Sequence, residues 1–324
     1  MADLTAELID VVRSRYGLAV SAASALLGGY DHWATSWRLD TDRGSLVLRI
    51  DRSIGSQTAR WLSEVIARAA RAGVPCHAPM PTIDGQPAVV FDGAAILITA
   101  FTDGATLDRD DPVQVHAAGA TLARLHNALQ GQTAHRPTPS PWDACFWPGE
   151  HDPPELRDRQ LDSWHQAFIS RASNDHRLGV VHGDFWAGNL IWDRQRIAAV
   201  IDWAESRIDA PVRELAWAIW EFGHDRGSRT LDIGRARTFL HGYREVTGAW
   251  QPGFEQSLIP LMRVELRRNA RYSLGDPGDI EYNSSLRRAF AGLRDQSALV
   301  LLEDSHPRSD RAACVHTPTR SRPN

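Results

Sequence analysis

The first hundred residues place apolar and polar side chains in alternation, which is the pattern of strands with one buried face. In "SLVLRI", Leu46, Leu48 and Ile50 share one face, and Val47 and Arg49 share the other. The preceding runs "SAASALLGG" and "WATSWRLD" are bounded by Gly-Gly and by "TDRG", which is typical of a hairpin. These runs predict the first strands of an antiparallel sheet.

A helix and further strands follow. The segment "SQTARWLSEVIARAARAG" has apolar residues at helical spacing and ends at Gly73. "PTIDGQPAVVFDGAAILITAF" then predicts two or three more strands, with turns at Asp84-Gly85 and Asp92-Gly93. Residues 1–101 are therefore predicted to form a mainly antiparallel sheet with one main helix.

After Asp103-Gly104 the apolar positions recur mostly at helical spacing. This spacing occurs in "DPVQVHAAGATLARLHNALQ", near 155–173, and in "PVRELAWAIWEFG", "GRARTFLHGYREVTG", "FEQSLIPLMRVELRRNARYSL" and "SSLRRAFAGLRDQSALVLL". Two short apolar runs, "LIW" and "IAAVIDW", favour strands, and 131–160 has no clear period. The order of elements predicts an α+β protein with a larger helical part over 102–303 and a polar, disordered tail over 304–324.

Composition narrows the class of protein. The chain has 324 residues and a net charge of -4, which argues against a nucleic-acid-binding surface. It contains no lysine, so a cation that contacts a phosphate must be arginine, histidine or a metal. Cys76, Cys145 and Cys314 have neither metal-ligand spacing nor a disulfide pattern. The amphipathic start is unlike a signal peptide and no run suits a membrane span, so we expect a cytoplasmic protein with no membrane partner.

Three polar residues in and after "VVHGDFWAGNLIWD" have a spacing that points to chemistry. Asp184 and Asn189 lie across one loop, and Asp202 ends the apolar run "IAAVID", which can return its carboxylate to that loop. Phosphoryl transfer needs one carboxylate that accepts or orients the proton of the attacking hydroxyl. It also needs separate oxygen ligands for Mg²⁺. A polar turn between strands explains "HGD" alone but explains the complete set poorly.

"HGDFWAGN" followed by "IDW" resembles the aminoglycoside phosphotransferase family, which also includes choline, homoserine and fructosamine kinases. The resemblance implies a two-lobed, protein-kinase-like fold with ATP and Mg²⁺ as cofactors. It implies that Asp184 is the catalytic aspartate, that Asn189 and Asp202 are the metal ligands, and that His182 packs and hydrogen-bonds in the loop. The acceptor would be a hydroxyl of a small molecule, such as an aminoglycoside, amino alcohol, homoserine or sugar.

The same resemblance assigns roles in the sheet and its helix. Arg49 would hold the phosphates of the nucleotide with a planar fork of donors. Val47, on the same strand face, would pack against adenine. Glu64, in the following helix, would pair with Arg49 and orient it. An exposed arginine and a solvated glutamate are the alternative for each residue alone.

Two backbone segments complete the expected nucleotide site. Gly28 and Gly29 lie where a phosphate-covering loop belongs, although "LLGGYDHWA" lacks the full GxGxxG pattern and also suits a tight turn. The run "ILITAFTDG" resembles the hinge between the lobes. Backbone groups of Thr99, Ala100 and Phe101 would hydrogen-bond adenine there.

One position departs from the family pattern, because "RELAW" offers Glu214 where an aspartate is usual. Glu214 either still braces the catalytic loop or is replaced by another brace. The acceptor site is expected to involve Trp186, with Glu205, Glu221 and Asp225 as candidate acids. Solvated helix faces are the alternative for these acids and for two further candidates, Asp143 and Glu150.

The sequence leaves several functions open. A catalytically silent nucleotide-binding regulator is the main alternative to a kinase, and a nucleic-acid module is disfavoured by the acids that interrupt "MRVELRRNARYS". A protein kinase is also disfavoured, since the "HRD" spelling is missing and only "WAESRI" separates Asp202 from Asp209. Antibiotic resistance and metabolism of a cellular alcohol are both compatible with the motifs.

Overall fold

The computed structural model describes residues 4–26, 34–131, 136–137, 152–174, 178–248, 254–275 and 280–294. Several predictions fall outside these ranges. They concern Gly28 and Gly29, the acids Asp143 and Glu150, and the tail 304–324.

The N-terminal part is one antiparallel sheet with two helices. Its strands run in the order β1-β2-β3-β5-β4. They are β1 (Val20–Leu26), β2 (Ala34–Thr41), β3 (Gly44–Asp51), β4 (Val89–Phe91) and β5 (Ala94–Ala100); the helices are α1 (Ala6–Tyr16) and α2 (Ser56–Arg71). The predicted antiparallel sheet with one main helix, α2, is therefore confirmed.

The alternation in β3 decides what each face of the sheet contacts. Leu46, Leu48 and Ile50 are buried in a cluster with Val12 and Tyr16 of α1. The opposite face, which carries Val47 and Arg49, is only partly buried. The division of β3 into a buried face and a partly exposed face thus follows the alternation that the sequence shows.

The second part is mostly helical. Its helices are α3 (Pro112–Leu129), α4 (Arg159–Asn174), α5 (Pro211–Gly223), α6 (Ile233–Thr247), α7 (Leu258–Tyr272) and α8 (Ile280–Gly292). Its short strands are β6 (Ala105–Thr106), β7 (Gly179–Val181), β8 (Leu190–Asp193), β9 (Arg196–Val200) and β10 (Arg207–Asp209). Strands β6, β8 and β9 form one sheet, and β10 pairs with β7.

A single hydrophobic cluster connects α2 with the helical part. Leu62, Val65 and Ile66 of α2 are buried in the same cluster as Leu122 of α3 and Leu215 of α5. A boundary between units at residue 101 remains a prediction, since α2 shares its core with the elements that follow. Within the described part of the chain, no helix combines the length and the apolar character that crossing a membrane requires.

Candidate active site

The loop after β7 is held in a conformation that requires glycine at its start. Gly183 has a φ of 89°, which side-chain-bearing residues rarely adopt. A Cβ at this position would also overlap the carbonyl oxygen of Glu205. The tight turn lets the chain leave the buried strand and present the next residue, Asp184, at a partly exposed position.

Asp184 and Asn189 contact each other directly. The amide Nδ2 of Asn189 donates to Asp184 Oδ2 at 2.9 Å and to the backbone oxygen of Asp184 at 2.8 Å. A one-turn 3₁₀ helix, Ala187–Asn189, brings the two side chains back to the same side of the loop. Because the amide nitrogen makes both of these hydrogen bonds, the amide oxygen is the atom of Asn189 that can bind a cation.

Asp202 lies beside this loop, just past the end of β9. It adopts a φ of 60°, an uncommon conformation for a residue other than glycine. The preceding amide, of Ile201, donates to Asn189 O at 2.9 Å, which ties the segment to the loop. The spacing of the three residues along the chain therefore brings two carboxylates and an amide to one place.

His182 is the fully buried residue that connects the two segments. Its Nδ1 accepts from the Asp184 N–H at 3.3 Å, so its Nε2 is the donor to Ile201 O at 3.0 Å. Burial lowers the pKa of His182 below its ordinary value, against the opposing charges of Glu214 and Asp202. A neutral imidazole therefore packs and hydrogen-bonds inside the loop, in the way that the sequence predicted.

Glu214 braces the catalytic loop from α5. Its Oε2 accepts from the backbone N–H of His182 at 3.1 Å and from His126 Nε2 at 2.8 Å, and its Oε1 accepts from the Gly183 N–H. Burial acts to raise the pKa of Glu214, but these hydrogen bonds and the neighbouring histidines outweigh it and keep the pKa below its usual range. Glu214 therefore braces the loop directly. This is one of the two alternatives that the sequence left open for a glutamate at this position.

Two residues of this brace had no signal in the sequence. His126, on α3, also uses its Nδ1, which lies 2.8 Å from the hydroxyl oxygen of Tyr243 on α6. Both residues are buried. A histidine at an apolar helical position is usually a core residue, and nothing in the local pattern joins it to an acid 88 positions later.

The electrostatics of the loop raise the proton affinity of Asp184. Burial raises the pKa of Asp184 to about 7, the charges of Asp202 and Glu205 add to this rise, and the hydrogen bond from Asn189 opposes it. A carboxyl group near a hydroxyl substrate with this pKa is suited to exchange a proton near neutral pH.

Arg49 reaches from the sheet to Asp202. Its Nη1 lies 3.4 Å from Asp202 Oδ1, and its Nη2 lies 3.0 Å from Asp51 Oδ2. Asp51 is completely buried, and its other oxygen accepts from the N–H of Ser53 at 2.9 Å. Asp51 therefore fixes the direction of the guanidinium, which spans the cleft between β3 and the end of β9.

The predicted ion pair between Arg49 and Glu64 is wrong for this structure. Glu64 is exposed on α2, and within the described residues no ion pair joins it to Arg49; the arginine pairs with Asp51 and Asp202. The apolar face of α2 enters the core, which turns Glu64 toward solvent. The periodicity of β3 contained the missed signal, since Asp51 is two residues from Arg49 and so shares its strand face.

The hinge residues lie where β5 leaves the sheet. Val47 of β3 faces Thr99 of β5, and the Phe101 N–H donates to Ser45 O at 3.0 Å. Because backbone groups alternate along an antiparallel ladder, those of Ala100 point away from β3. Ala100 is therefore the best placed of the three predicted hinge residues to hydrogen-bond a ligand.

The candidate acceptor residues fall into two groups. Glu205 and Glu221 lie close enough to Asp184 for their charges to interact with it. Burial raises the pKa of Glu221 to about 7, with Arg109 opposing and Asp184 adding to the rise. Asp225 instead belongs to a turn, where its Oδ1 accepts from the N–H groups of residues 227 and 228 at 3.0 and 2.7 Å.

Trp186 stays within the catalytic loop. A side chain at Gly188 would overlap its indole, so the ring lies directly over that glycine. The residue is partly exposed. A contact with an acceptor remains a prediction.

Comparison with known sequences finds matches over most of the chain. The profile of the "Phosphotransferase enzyme family" matches residues 23–251. A homoserine kinase of Methylobacillus glycogenes is 26% identical over 222 residues, which cover 65% of this chain and 67% of that protein. A homoserine kinase of Methylobacillus flagellatus is 28% identical over 255 residues, or 72% of this chain and 75% of that protein.

Solved structures with the same fold include two small-molecule kinases. An amicoumacin kinase in complex with AMP-PNP, Ca²⁺ and its ligand superposes with a TM-score of 0.67 at 12% identity, over 88% of this chain and 92% of that one. A microcompartment-associated aminopropanol kinase superposes with a TM-score of 0.65 at 18% identity, over 89% and 95% of the two chains. These similarities confirm the two-lobed, protein-kinase-like fold.

Proposed function

The chain belongs to the phosphotransferase enzyme family and is an ATP-dependent kinase of small-molecule hydroxyl groups, and we propose that its acceptor is a small amino alcohol or hydroxy amino acid of the homoserine class. It works with a nucleotide and a divalent metal ion. The observation that supports phosphoryl transfer at this site is the convergence of Asp184, Asn189 and Asp202 at the cleft that Arg49 crosses. A cytoplasmic location remains a prediction of the sequence.

Each member of this group has a distinct task in the proposed reaction. Asp184 accepts or orients the proton of the acceptor hydroxyl while the hydroxyl oxygen attacks the γ-phosphorus of ATP, and the bond from that phosphorus to the leaving ADP breaks. The brace from Glu214 keeps the backbone at residues 182 and 183 fixed, so Asp184 needs little reorganisation to reach the hydroxyl.

The donor set fits Mg²⁺. The amide oxygen of Asn189 is turned away from Asp184 by the hydrogen bonds of its nitrogen. The carboxylate of Asp202 is one-third exposed, with 34% of its side chain accessible. Hard cations prefer such oxygen ligands, and bound Mg²⁺ would offset the negative charge of the phosphates.

The nucleotide would lie between the sheet and this group. Arg49 already points at Asp202, so it would contact the phosphates beside the metal, and its guanidinium keeps its charge near neutral pH. Val47 would pack on the adenine, and the backbone of Ala100 would hydrogen-bond it. A phosphate contact from Gly28 and Gly29 remains a prediction.

The charges near Asp184 support an acceptor that carries an amine. Glu205, and Glu221 when it is ionised, place negative charge near Asp184, which would favour a bound ammonium group. Arg109 and Arg229 act on Glu221, and their positive charge would favour a carboxylate on the same acceptor. The sequence relatives are homoserine kinases by name, and homoserine carries both groups.

The test is ADP release with a panel of acceptors. Homoserine and short amino alcohols should support Mg²⁺-dependent turnover, whereas choline and aminoglycosides should support little. Replacing Asp184→Asn should lower kcat by about 10³-fold, since it removes a proton acceptor. ATP affinity measured by calorimetry should stay within about twofold.

A matched control is Asp193→Asn, which changes a partly exposed carboxylate on the neighbouring strand β8 and should leave turnover unchanged. Turnover by Asp184→Asn equal to that of the control would contradict the catalytic role. If aminoglycosides are preferred over homoserine, the acceptor proposal fails and the kinase assignment stands. Binding of Mg-ATP without turnover on any acceptor would favour the regulator instead.

A further inference from the structure

Helices α3 and α6 pack with their backbones in direct contact. A Cβ at Gly119 of α3 would overlap the carbonyl oxygen of Phe239, and a Cβ at Gly242 of α6 would overlap that of His116. The two glycines therefore let the helices approach more closely than side chains would permit. Such contact fixes side chains on one helix relative to those on the other, because interiors are closely packed and deform little.

This contact brings two histidines and a glutamate together on the outer side of the helix pair. His116 Nε2 lies 3.2 Å from one carboxylate oxygen of Glu245, and His241 Nδ1 lies 3.4 Å from the other. The two imidazole centroids are 5.4 Å apart. The atoms of the three side chains that can ligate a metal all lie within 4.8 Å of one another.

These separations are close to those around a bound zinc ion. Ligand atoms at about 2.0–2.1 Å from a tetrahedral Zn²⁺ are about 3.3 Å apart. Each histidine nitrogen already lies at about this distance from Glu245, His116 from one carboxylate oxygen and His241 from the other. Convergence of all three side chains on one ion needs side-chain rotations, which are open to His241 and Glu245 because both are exposed.

The combination of ligands selects the kind of ion. Imidazole nitrogen with one carboxylate suits Zn²⁺ and its first-row neighbours, whereas Mg²⁺ prefers oxygen ligands throughout. As plain ion pairs, these exposed contacts would contribute little to stability. The metal expected at Asn189 and Asp202 is thus of another chemical class.

The cluster also has space for a fourth ligand. His116 and Glu245 line a cavity of about 590 Å³ whose wall includes Arg124 and Arg196. A water, or a small anion attracted by the arginines, can reach the ion from this side. The lining of this cavity includes none of Asp184, Asn189 and Asp202, so the cluster is separate from the candidate active site.

We propose that His116, His241 and Glu245 form a binding site for one Zn²⁺ ion that joins α3 to α6. The ion would add a second link between the two helices whose residues His126 and Tyr243 stand behind Glu214. The site stabilises the helix pair and takes no part in phosphoryl transfer. The proposal does not depend on the identity of the acceptor.

The test is zinc binding by the tag-free full-length protein after chelator treatment, measured by calorimetry in excess Mg²⁺ so that the oxygen-ligand site is occupied. One equivalent of Zn²⁺ should bind. His116→Ala, His241→Ala and Glu245→Ala should each weaken binding by about tenfold or more. His77→Ala, which removes an exposed histidine elsewhere, should bind like the wild type.

Thermal unfolding gives a second measurement. A zinc concentration one hundred times the Kd should raise the Tm of the wild type by about 5 °C, and this rise should vanish in the cluster variants. Glu245→Gln keeps the shape of the side chain and tests ligation if the alanine variant folds poorly. Absence of binding, or equal binding by the cluster variants and His77→Ala, would overturn the proposal.

Discussion

Helices α5 and α2 each contain a glutamate that the sequence singled out, and the two glutamates have opposite environments. Glu214 is buried and accepts hydrogen bonds from His126, His182 and Gly183. Glu64 is exposed on α2. Glu214, which departs from the family pattern, accepts the hydrogen bonds that hold the loop. Glu64, which matches the pattern, does not pair with Arg49 in the described part of the chain, and Asp51 makes that ion pair.

The difference shows how each half of the site is held. The loop is fixed from behind by buried side chains of α3, α5 and α6, so its geometry is set before a substrate arrives. Arg49, by contrast, is held by its strand neighbour Asp51 and by Asp202 across the cleft. The site therefore combines a loop that is fixed by its buried neighbours with Arg49, which crosses the cleft from the sheet.

Removal of the brace should have the largest effect. Glu214→Ala removes the partner of the N–H groups of residues 182 and 183 and of His126 Nε2 in the core, so we expect a loss of about 3–5 kcal/mol in the free energy of unfolding. Urea denaturation measures it. The matched change Glu64→Ala should stay within about 0.5 kcal/mol. Similar losses in both variants would contradict the difference in environment between Glu214 and Glu64.

Replacement of Arg49, which crosses the cleft, should have an intermediate effect. Arg49→Ala deletes charge-assisted hydrogen bonds to phosphate, and we expect the KM for ATP to rise by about 10- to 100-fold. Steady-state kinetics at saturating acceptor measures it. Asp51→Asn should raise this KM less, since the guanidinium remains, and Glu64→Gln should leave it unchanged. A larger effect of Glu64→Gln than of Asp51→Asn would restore Glu64 as the residue that pairs with Arg49 and orients it.

The smallest expected effect concerns the pH dependence of stability. The pKa of Glu221 in the folded protein is raised to about 7 by burial, so between pH 4.5 and 7 the folded state keeps a proton that the unfolded state loses. Stability from this residue therefore falls as the pH rises through that window. Glu221→Gln removes the effect, and its advantage over the wild type should grow by about 1–2 kcal/mol from pH 5 to pH 8, allowing for partial exposure. A constant difference between the two proteins across this range would contradict the raised pKa.

Most of the fold and the three central residues were predictable because they depend on local patterns. Alternation marked the strands of the sheet, helical spacing marked the helices, and a short loop with a following strand grouped Asp184, Asn189 and Asp202. Partners that come from distant elements were not predictable. His126 meets Glu214 across 88 positions and Tyr243 across 117, and neither lies in a motif.

The sequence by itself determined most of the elements and the spacing of Asp184, Asn189 and Asp202 along the chain, because residue type and periodicity act over a few neighbouring positions. The tertiary structure alone decided that Glu214 faces the core and Glu64 faces solvent, and that Asp51 aims Arg49. It also decided that two glycines bring His116 next to Glu245. These outcomes depend on how helices and strands pack, which is a sum of many contacts between residues far apart in the chain.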